Sequence, residues 1–218
     1  MNWFEKLDTV LAAEMPELKM AKDEPMSRHT SFRIGGPVEA MAFPRNKEEL
    51  SKILKMSALM DLNPAILGAG TNILAPDAGL KGIVICLKDC MDGMEQLDET
   101  HIRVAAGVTM TRAAMFAANL GLSGMEFAHG IPGTIGGGVY MNAGAYGGEI
   151  CQICESVEVM DMDGNVRVLS NEEMKVSYRH SVLEEEQAIV LGATFRLMLS
   201  DSETIKATMK EISFSAVS

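Results

Sequence analysis

The segment from Phe127 to Gly148 constrains this chain more than any other. It holds eight glycines, one proline and no Asp, Glu, Lys or Arg in 22 residues, although those four residue types form 22% of the whole chain. Glycine has no Cβ, so a ligand or another main chain can approach the backbone closely. The alternatives are a tightly packed buried turn or a flexible linker. A linker should carry Ser and charge rather than Ile, Val, Tyr and Met, and we favour contact with a large, flat, partly apolar ligand.

The composition is that of a globular protein that buries a core. Hydrophobic residues form 47% of the 218 residues, and the formal net charge is −11. This charge argues against sequence-independent nucleic-acid binding and against binding to an anionic membrane. Glu5, Lys6 and Asp8 fall where a signal peptide needs its apolar region. Four cysteines in a chain of this size do not predict a disulfide scaffold, so we expect a reduced, cytoplasmic protein.

Strands outnumber helices in the hydrophobic pattern and do not alternate strictly with them, which predicts an α+β fold. The region 26–43 predicts two short strands around Gly35-Gly36-Pro37. The other predicted strands are 64–67, 82–87, 94–97, 101–106, 153–161, 165–169 and 187–199. The predicted helices are 1–14, one opened by Asn46 with Glu49 as its capping-box partner, 110–120, and one ending near Ile212.

A first candidate ligand loop follows the predicted strand at 64–67. It reads Leu67-Gly68-Ala69-Gly70-Thr71-Asn72. Glycine permits positive φ, so consecutive N–H groups can turn toward a phosphate, with Thr71 and Asn72 as further donors. A plain turn explains the glycines almost as well. The loop matches neither the dinucleotide fingerprint nor a Walker loop.

The glycine-rich tract supplies the second and stronger candidate. Thr134 is placed to cap a helical turn whose N–H groups face an anion, and Pro132 fixes a turn. The candidate ligand-contacting residues are Gly130, Ile131, Pro132, Gly133, Thr134, Gly136, Gly137, Gly138, Asn142 and Gly144.

The third candidate is the pair Tyr178-Arg179, because a hydroxyl beside a guanidinium binds a carboxylate or phosphate with fixed geometry. An isolated arginine is otherwise an ordinary surface charge. The cysteine pairs Cys86/Cys90 and Cys151/Cys154 are too far apart for a zinc ribbon, and the histidines show no ligand spacing. We therefore predict no metal site.

Together these segments resemble the UDP-N-acetylenolpyruvoylglucosamine reductase family. The resemblance rests on four blocks in the family's order: His29-Thr30-Ser31-Phe32-Arg33-Ile34-Gly35-Gly36, the loop 67–72, the tract 130–148, and Tyr178-Arg179-His180-Ser181. It implies a two-lobed FAD-binding module of the vanillyl-alcohol-oxidase type. The implied lobes are residues 1–90 and 91–200, and residues 201–218 would begin a substrate-binding domain that this chain lacks.

The resemblance also implies an activity in peptidoglycan synthesis. NADPH would reduce FAD, and the reduced flavin would reduce the enolpyruvyl group of a UDP-sugar to give UDP-N-acetylmuramate. Residues Gly68 to Asn72 would cradle the FAD diphosphate, and Ile131 to Gly138 would line the flavin, with Asn142 and Gly144 beside it. Arg179 matches the family's active-site arginine, which contacts substrate and stabilises the enolate, and Tyr178 would line the same pocket.

The expected absence of the third domain leaves three alternatives beside the reductase. In the family that domain supplies a serine proton donor and a glutamate, and Ser213, Ser215 and Ser218 do not match the serine motif. The chain would then be a truncated flavin-binding fragment without turnover. Another oxidoreductase of the same flavin superfamily, or a binding protein without cofactor, are the further alternatives. The oligomeric state is left open.

Overall fold

The computed structural model describes residues 2–215, with side chains described through residue 212. The predicted beginning of a further domain at 201–218 therefore lies partly outside the described residues. The chain divides into two compact units. Unit 1 comprises residues 1–91 and 160–165, and unit 2 comprises residues 92–159 and 166–218.

Unit 1 is built on a four-stranded mixed sheet. Its helices are α1 (Trp3–Glu14) and α2 (Lys47–Leu59), and its strands are β1 (Lys19–Pro25), β2 (Pro37–Phe43), β3 (Ala65–Leu67) and β4 (Leu80–Cys86). The strand order is β1-β2-β4-β3, with β1 antiparallel to β2 and the other two pairs parallel. A short 3-10 helix, Met26–Arg28, follows β1.

The core of unit 1 lies on the faces of this sheet. Val38 and Met41 of β2 and Val84 of β4 are buried together with Leu67, the last residue of β3. Helix α2 packs against α1. Burying such side chains contributes about 1.5–3 kcal/mol each, which fixes β3 and therefore the start of the loop that follows Leu67.

Unit 2 is built on a five-stranded sheet with the order β11-β10-β12-β6-β5. Its strands are β5 (Met94–Gln96), β6 (His101–Ala105), β7 (Leu122–Ser123), β8 (Gly144–Ala145), β9 (Gly148–Glu149), β10 (Cys154–Met160), β11 (Val166–Ser170), β12 (Ile189–Arg196) and β13 (Met198–Leu199). Its helices are α3 (Met110–Asn119), a 3-10 helix (Glu126–Gly130), α4 (Ile135–Tyr140), α5 (Ile150–Ile153), α6 (Val182–Glu186) and α7 (Ser202–Ser215). Helix α4 packs against β12, and α7 packs against α3 and the 3-10 helix.

Most of the predicted elements are confirmed. Helix α2 begins after Asn46, whose side chain accepts a hydrogen bond from the Glu49 amide at 2.9 Å. The capping box is only half formed, because the Glu49 carboxylate binds the amide and guanidinium of Arg45 instead. Helix α3 ends before Gly121, which adopts a φ of +69°.

The first predicted strand in 26–43 was misplaced. The structure forms strand β1 earlier, at Lys19–Pro25, and a 3-10 helix begins at Met26. Strand β1 lies at the sheet edge and contains four charged residues. Main-chain pairing with β2 holds such a strand, so its hydrophobic pattern is too weak to reveal it.

Within residues 2–215, no helix combines the length and the apolar composition needed to cross a bilayer. All four cysteines are free thiols.

Candidate active site

The predicted pair Tyr178-Arg179 occupies the two central positions of a tight turn in unit 2. The Ser177 amide donates to the His180 carbonyl at 3.0 Å, and the His180 amide donates to the Ser177 carbonyl at 3.2 Å. Arg179 adopts a φ of +56° in this turn. An L residue with a side chain pays about 1–2 kcal/mol for that conformation. The fold therefore holds the arginine in a conformation that glycine or asparagine would adopt more readily.

The residue after this turn anchors the segment in the core. Ser181 is completely buried, and its hydroxyl donates to the carbonyl of Tyr140 at the end of α4. His180 contacts the carboxylates of Glu184 and Glu185 through its two ring nitrogens. The turn that presents Arg179 is thus anchored at its C-terminal end.

A hairpin with a two-residue loop lies beside the turn that carries Arg179. Strands β8 and β9 pair Gly144 with Glu149, and Tyr146 and Gly147 form the connection with φ values of +52° and +82°. Two successive positive φ values are typical of a type I′ turn, which prefers Asn-Gly or Asp-Gly. Tyrosine is therefore an unusual choice at the first position, and its side chain is half exposed.

These two turns line one cavity of about 210 Å³. The lining residues are Asn142, Gly144, Ala145, Tyr146, Gly147, Gly148, Glu149, Tyr178 and Arg179. The cavity brings together four residues predicted from the sequence, at 142, 144, 178 and 179. Tyr146 and Glu149 were missed. An aromatic side chain inside an uncharged, glycine-rich tract was the available signal for Tyr146.

Arg179 supplies the positive charge of the cavity. Its guanidinium donates to the Gly144 carbonyl at 3.0 Å and lies 5.9 Å from the centre of the Tyr178 ring. Tyr178 is 83% exposed. A guanidinium has five N–H donors in a planar fork, so the bond to Gly144 leaves donors for a carboxylate or phosphate.

The side chain of Asn142 is hydrogen-bonded within the protein through both its amide group and its carbonyl. Its amide group donates to the Glu149 carboxylate at 3.0 Å and to the Ser177 carbonyl at 3.3 Å. Its carbonyl accepts from the Cys151 amide at 3.0 Å. The prediction that Asn142 contacts a cofactor remains untested, and these bonds give the residue a structural function.

The tract 130–138 forms the end of a 3-10 helix, a turn and the start of α4. Thr134 occupies the N-cap position of α4 as predicted, but its side chain makes no capping hydrogen bond. The amides of Ile135 and Gly136 donate to the carbonyls of Val108 and Ala106 at 2.8 and 2.9 Å. These N–H groups are therefore satisfied by the protein and do not face an anion.

The glycines of this tract differ in the space that a side chain would find around them. A Cβ on Gly136 would lie 3.0 Å from the Ala106 Cβ, and one on Gly138 would lie 2.8 Å from the Met110 sulfur. Packing against Ala106 therefore explains the glycine at 136, whereas a side chain at 138 would displace the end of the Met110 side chain. A Cβ on Gly137 would meet only the Thr134 hydroxyl, at 3.9 Å, and Gly130 is similarly open.

Uncharged, exposed residues are present at Gly130, Pro132 and Gly137. Such a surface fits the edge or face of a planar, partly apolar ring system such as a flavin. The expectation that all the glycines are bare for a ligand was too broad, and Gly137 is the position at which it fits best.

In unit 1, the loop 67–72 follows β3 as predicted. A Cβ on Gly70 would lie 1.9 Å from the His29 carbonyl oxygen, and the Ser31 amide donates to the Gly70 carbonyl at 3.0 Å. Gly70, with a φ of +66°, is therefore required by the neighbouring backbone. The remainder of the loop is partly or fully exposed apart from Leu67. Phosphate binding by this loop remains a prediction.

The cysteines lie in environments that suppress thiolate formation. Burial raises the pKa of Cys90 and of Cys154 to about 12. Burial also raises the pKa of Cys151, which the Glu149 carboxylate contacts. Neutral buried thiols behave as small hydrophobic side chains. In the part of the chain that the structure describes, no group of three or more His, Cys, Asp or Glu side chains is arranged to hold a metal.

Comparison with known proteins identifies the family. Residues 38–170 match the FAD binding domain family. The chain is 42% identical over 198 residues to a UDP-N-acetylenolpyruvoylglucosamine reductase of Caldanaerobacter subterraneus subsp. tengcongensis, covering 91% of this chain and 65% of that protein. It is 40% identical over 210 residues to the reductase of Agathobacter rectalis, covering 91% and 67%.

A solved structure agrees with these similarities. The reductase of the same name from Thermus caldophilus superposes with a TM-score of 0.73 at 29% identity, covering 91% of this chain and 69% of that one. The α+β fold is thus the FAD-binding module of the vanillyl-alcohol-oxidase type, as predicted. The chain spans about two thirds of the length of the curated relatives given above. The chain belongs to the UDP-N-acetylenolpyruvoylglucosamine reductase family.

Proposed function

We propose that this chain uses FAD and NADPH to reduce a UDP-N-acetylglucosamine enolpyruvyl ether to UDP-N-acetylmuramate, a precursor of peptidoglycan. The observation that carries the proposal is the cavity in which Arg179 faces the Asn142–Gly148 segment. The named relatives support the substrate. The free cysteines suit a reducing compartment, and we propose the cytoplasm.

In this proposal Arg179 binds the carboxylate of the enolpyruvyl group. Reduction adds a hydride to one carbon of the double bond and a proton to the other, so negative charge builds up on the carboxylate side before the proton arrives. A guanidinium held at that side stabilises the developing charge. The bond to the Gly144 carbonyl orients the guanidinium in advance, so little reorganisation is needed during the reaction.

Tyr178 and Tyr146 would border the same substrate. Both side chains line the cavity and are half or more exposed. Aromatic rings at the rim provide apolar area and a hydroxyl each at a low cost in conformational entropy. With substrate bound, the two rings would cover part of the cavity, and the lower water content there would strengthen the interaction between Arg179 and a carboxylate.

The cofactor residues in the proposal are those of the two predicted loops. When bound, FAD supplies the hydride chemistry that no amino-acid side chain provides. Gly68 to Asn72 would hold its diphosphate, and the exposed residues Gly130, Pro132 and Gly137 would contact its ring system. The uncharged surface at those three positions supports this assignment.

The experiment separates the two half-reactions. The purified chain is loaded with FAD and reduced anaerobically with NADPH or NADH, and the UDP-linked enolpyruvyl ether is then added while flavin absorbance is recorded. We expect reduction by NADPH and reoxidation by the ether. Arg179→Ala should keep the first step and lose the second, whereas equal loss of both would contradict the role of Arg179.

The alternatives predict different outcomes of the same experiment. A flavin-binding chain without turnover would be reduced but not reoxidised by the ether. An oxidoreductase acting on another substrate would be reoxidised only by a different acceptor. A chain that stays colourless after incubation with FAD would be a binding protein without cofactor, and the proposed function would be wrong.

A further inference from the structure

Asn142 is a buried polar side chain beside the cavity, and all of its hydrogen-bonding groups have partners. It is 3% exposed and adopts a φ of +46°. Its amide hydrogens have acceptors on Glu149 and Ser177, and its carbonyl has a donor in the Cys151 amide. A side-chain amide has two N–H donors, so both are used within the protein.

These partners belong to the two turns that form the cavity. Glu149 ends the hairpin that carries Tyr146, and Ser177 begins the turn that carries Arg179. The sequence separations are 7 residues to Glu149 and 35 residues to Ser177. One buried side chain therefore joins two segments that are distant in sequence. A buried amide that lost either acceptor would pay a desolvation penalty, so the two hydrogen bonds of Asn142 hold the hairpin and the turn together.

The bond between Arg179 and Gly144 depends on the same link that Asn142 makes between the hairpin and the turn. It links the second turn to the hairpin strand β8, 35 residues earlier. Gly144 pairs with Glu149 across the hairpin. If the hairpin and the turn moved apart, the guanidinium would lose this partner and its fixed direction.

We propose that Asn142 is a positioning residue that holds the guanidinium of Arg179 in its binding orientation by fastening the Ser177–His180 turn to the Gly144–Glu149 hairpin. The effect on a substrate carboxylate rests on the proposed function. The effect on the orientation of Arg179 does not, because it is a property of the protein without ligand.

The first test observes Arg179 directly in the chain without FAD. The Nε–H signal of Arg179 in a ¹⁵N-correlated NMR spectrum is assigned by its disappearance in Arg179→Lys. Asn142→Gly removes the side chain and suits the positive φ, so the fold should persist. Asn142→Asp keeps the acceptor for the Cys151 amide and removes both donors, which provides a second variant where the first fails to fold.

Asn171→Ala is the matched control. Asn171 also donates twice through its side-chain amide, to the carbonyls of Cys151 and Cys154 at 2.7 and 2.6 Å. Neither acceptor belongs to the turn of Arg179. A general loss of stability in unit 2 would therefore affect both variants, whereas loss of positioning would affect only Asn142.

We expect the Arg179 Nε–H signal to move to the position of a mobile arginine in the Asn142 variants and to stay in place in Asn171→Ala. An unchanged signal in the Asn142 variants, or an equal change in the control, would overturn the proposal. In the FAD-loaded chain, misplacement of a reacting group costs about 100-fold in rate, so reoxidation by the enolpyruvyl ether should slow by that factor. FAD affinity should change less than about twofold, because neither donor of Asn142 is available to a ligand.

The two proposals fail in distinguishable ways. If wild type binds no flavin or is not reoxidised, the proposed function is wrong, and the NMR comparison still decides whether Asn142 positions Arg179. If wild type turns over and the Asn142 variants turn over equally well with an unmoved Arg179 signal, the positioning role is wrong and the proposed function stands.

Discussion

The guanidinium of Arg179 donates a hydrogen bond to the carbonyl of Gly144 at 3.0 Å, across 35 residues of sequence. This bond joins a turn with a positive φ at Arg179 to a hairpin with a positive φ at Tyr146. Two residues with large side chains therefore occupy backbone conformations that favour glycine or asparagine, and both line one cavity. Backbone strain of this kind persists where the surrounding structure over-determines it, and it concentrates at functional sites.

The strain at Arg179 predicts an inverted order of stability for two substitutions. Arg179→Gly and Arg179→Ala both remove the side chain and its bond to Gly144. Glycine is ordinarily less stable than alanine, but at a φ of +56° the order should reverse, with Arg179→Gly about 0.5–1 kcal/mol more stable. Urea denaturation of both variants measures the difference in the free energy of unfolding.

Substitution of Arg167 by glycine and by alanine provides a control for that comparison. Arg167 lies in β11, within the five-stranded sheet, where extended backbone is required. There Arg167→Gly should be less stable than Arg167→Ala. An Arg179→Gly variant that is less stable than Arg179→Ala would show that the turn is not strained.

The positive φ of Tyr146 gives a second prediction, about the stability that is lost through backbone strain beside the cavity. In the type I′ hairpin formed with Gly147, asparagine is a preferred residue at the position of Tyr146. Tyr146→Asn should therefore raise the melting temperature, by a stabilisation of up to about 1 kcal/mol. Tyr146→Ala should bring no gain, since alanine tolerates a φ of +52° poorly. Equal melting temperatures for these two variants would contradict the turn assignment.

Some of this site was accessible from the sequence. The pair Tyr178-Arg179 and the residues Asn142 and Gly144 were predicted from separate blocks, and the structure places them around one cavity. Hydrophobic periodicity and turn chemistry are local signals, which explains why helix α3 was also predicted correctly.

The remainder depended on long-range contacts that composition does not encode. The glycine at 70 is required by the carbonyl of His29, and the glycine at 136 by Ala106. Neither neighbour is close in sequence. From the sequence alone, a glycine required by internal packing could not be distinguished from a glycine that leaves room for a ligand. Glu149 has no local sequence signal, because its functional contact is the hydrogen bond from Asn142, which only the fold brings about.

Thiol reactivity should separate the cysteines and vary with pH in a defined direction. Burial raises the pKa of Cys90 and Cys154 from 9.0 to about 12, so the fold favours their neutral forms. The resulting stabilisation is complete below pH 9 and is lost as the pH rises from 9 toward 12, because the unfolded chain ionises first. We expect the free energy of unfolding to fall over that range.

Titration with an aromatic disulfide reagent at pH 8 tests the same environments. Cys151 is partly exposed and should react first, whereas the buried thiols of Cys86, Cys90 and Cys154 should react only after denaturation. Cys151→Ser should remove the fast phase. Rapid reaction of Cys90 or Cys154 in the folded chain would contradict the burial shown by the structure.

The neighbouring glycines Gly136 and Gly137 allow folding and cofactor binding to be separated. Gly137 is exposed, and a side chain there meets only the Thr134 hydroxyl, at 3.9 Å. Gly137→Val should fold with nearly unchanged stability, because valine is a better helix former than glycine. Its branched side chain would occupy the surface proposed for the flavin, so FAD affinity should fall by at least about tenfold, equivalent to about 1.4 kcal/mol.

Gly136→Val is the matched control, with the opposite result expected. A side chain at Gly136 meets Ala106 at 3.0 Å, so the variant should lose about 1–3 kcal/mol in the free energy of unfolding. Quenching of flavin fluorescence measures FAD affinity, and urea denaturation without FAD measures stability. If Gly137→Val bound FAD as tightly as wild type, the exposed main chain of α4 would not contact the cofactor. The exposed main chain at Gly137 would then have a function other than binding FAD.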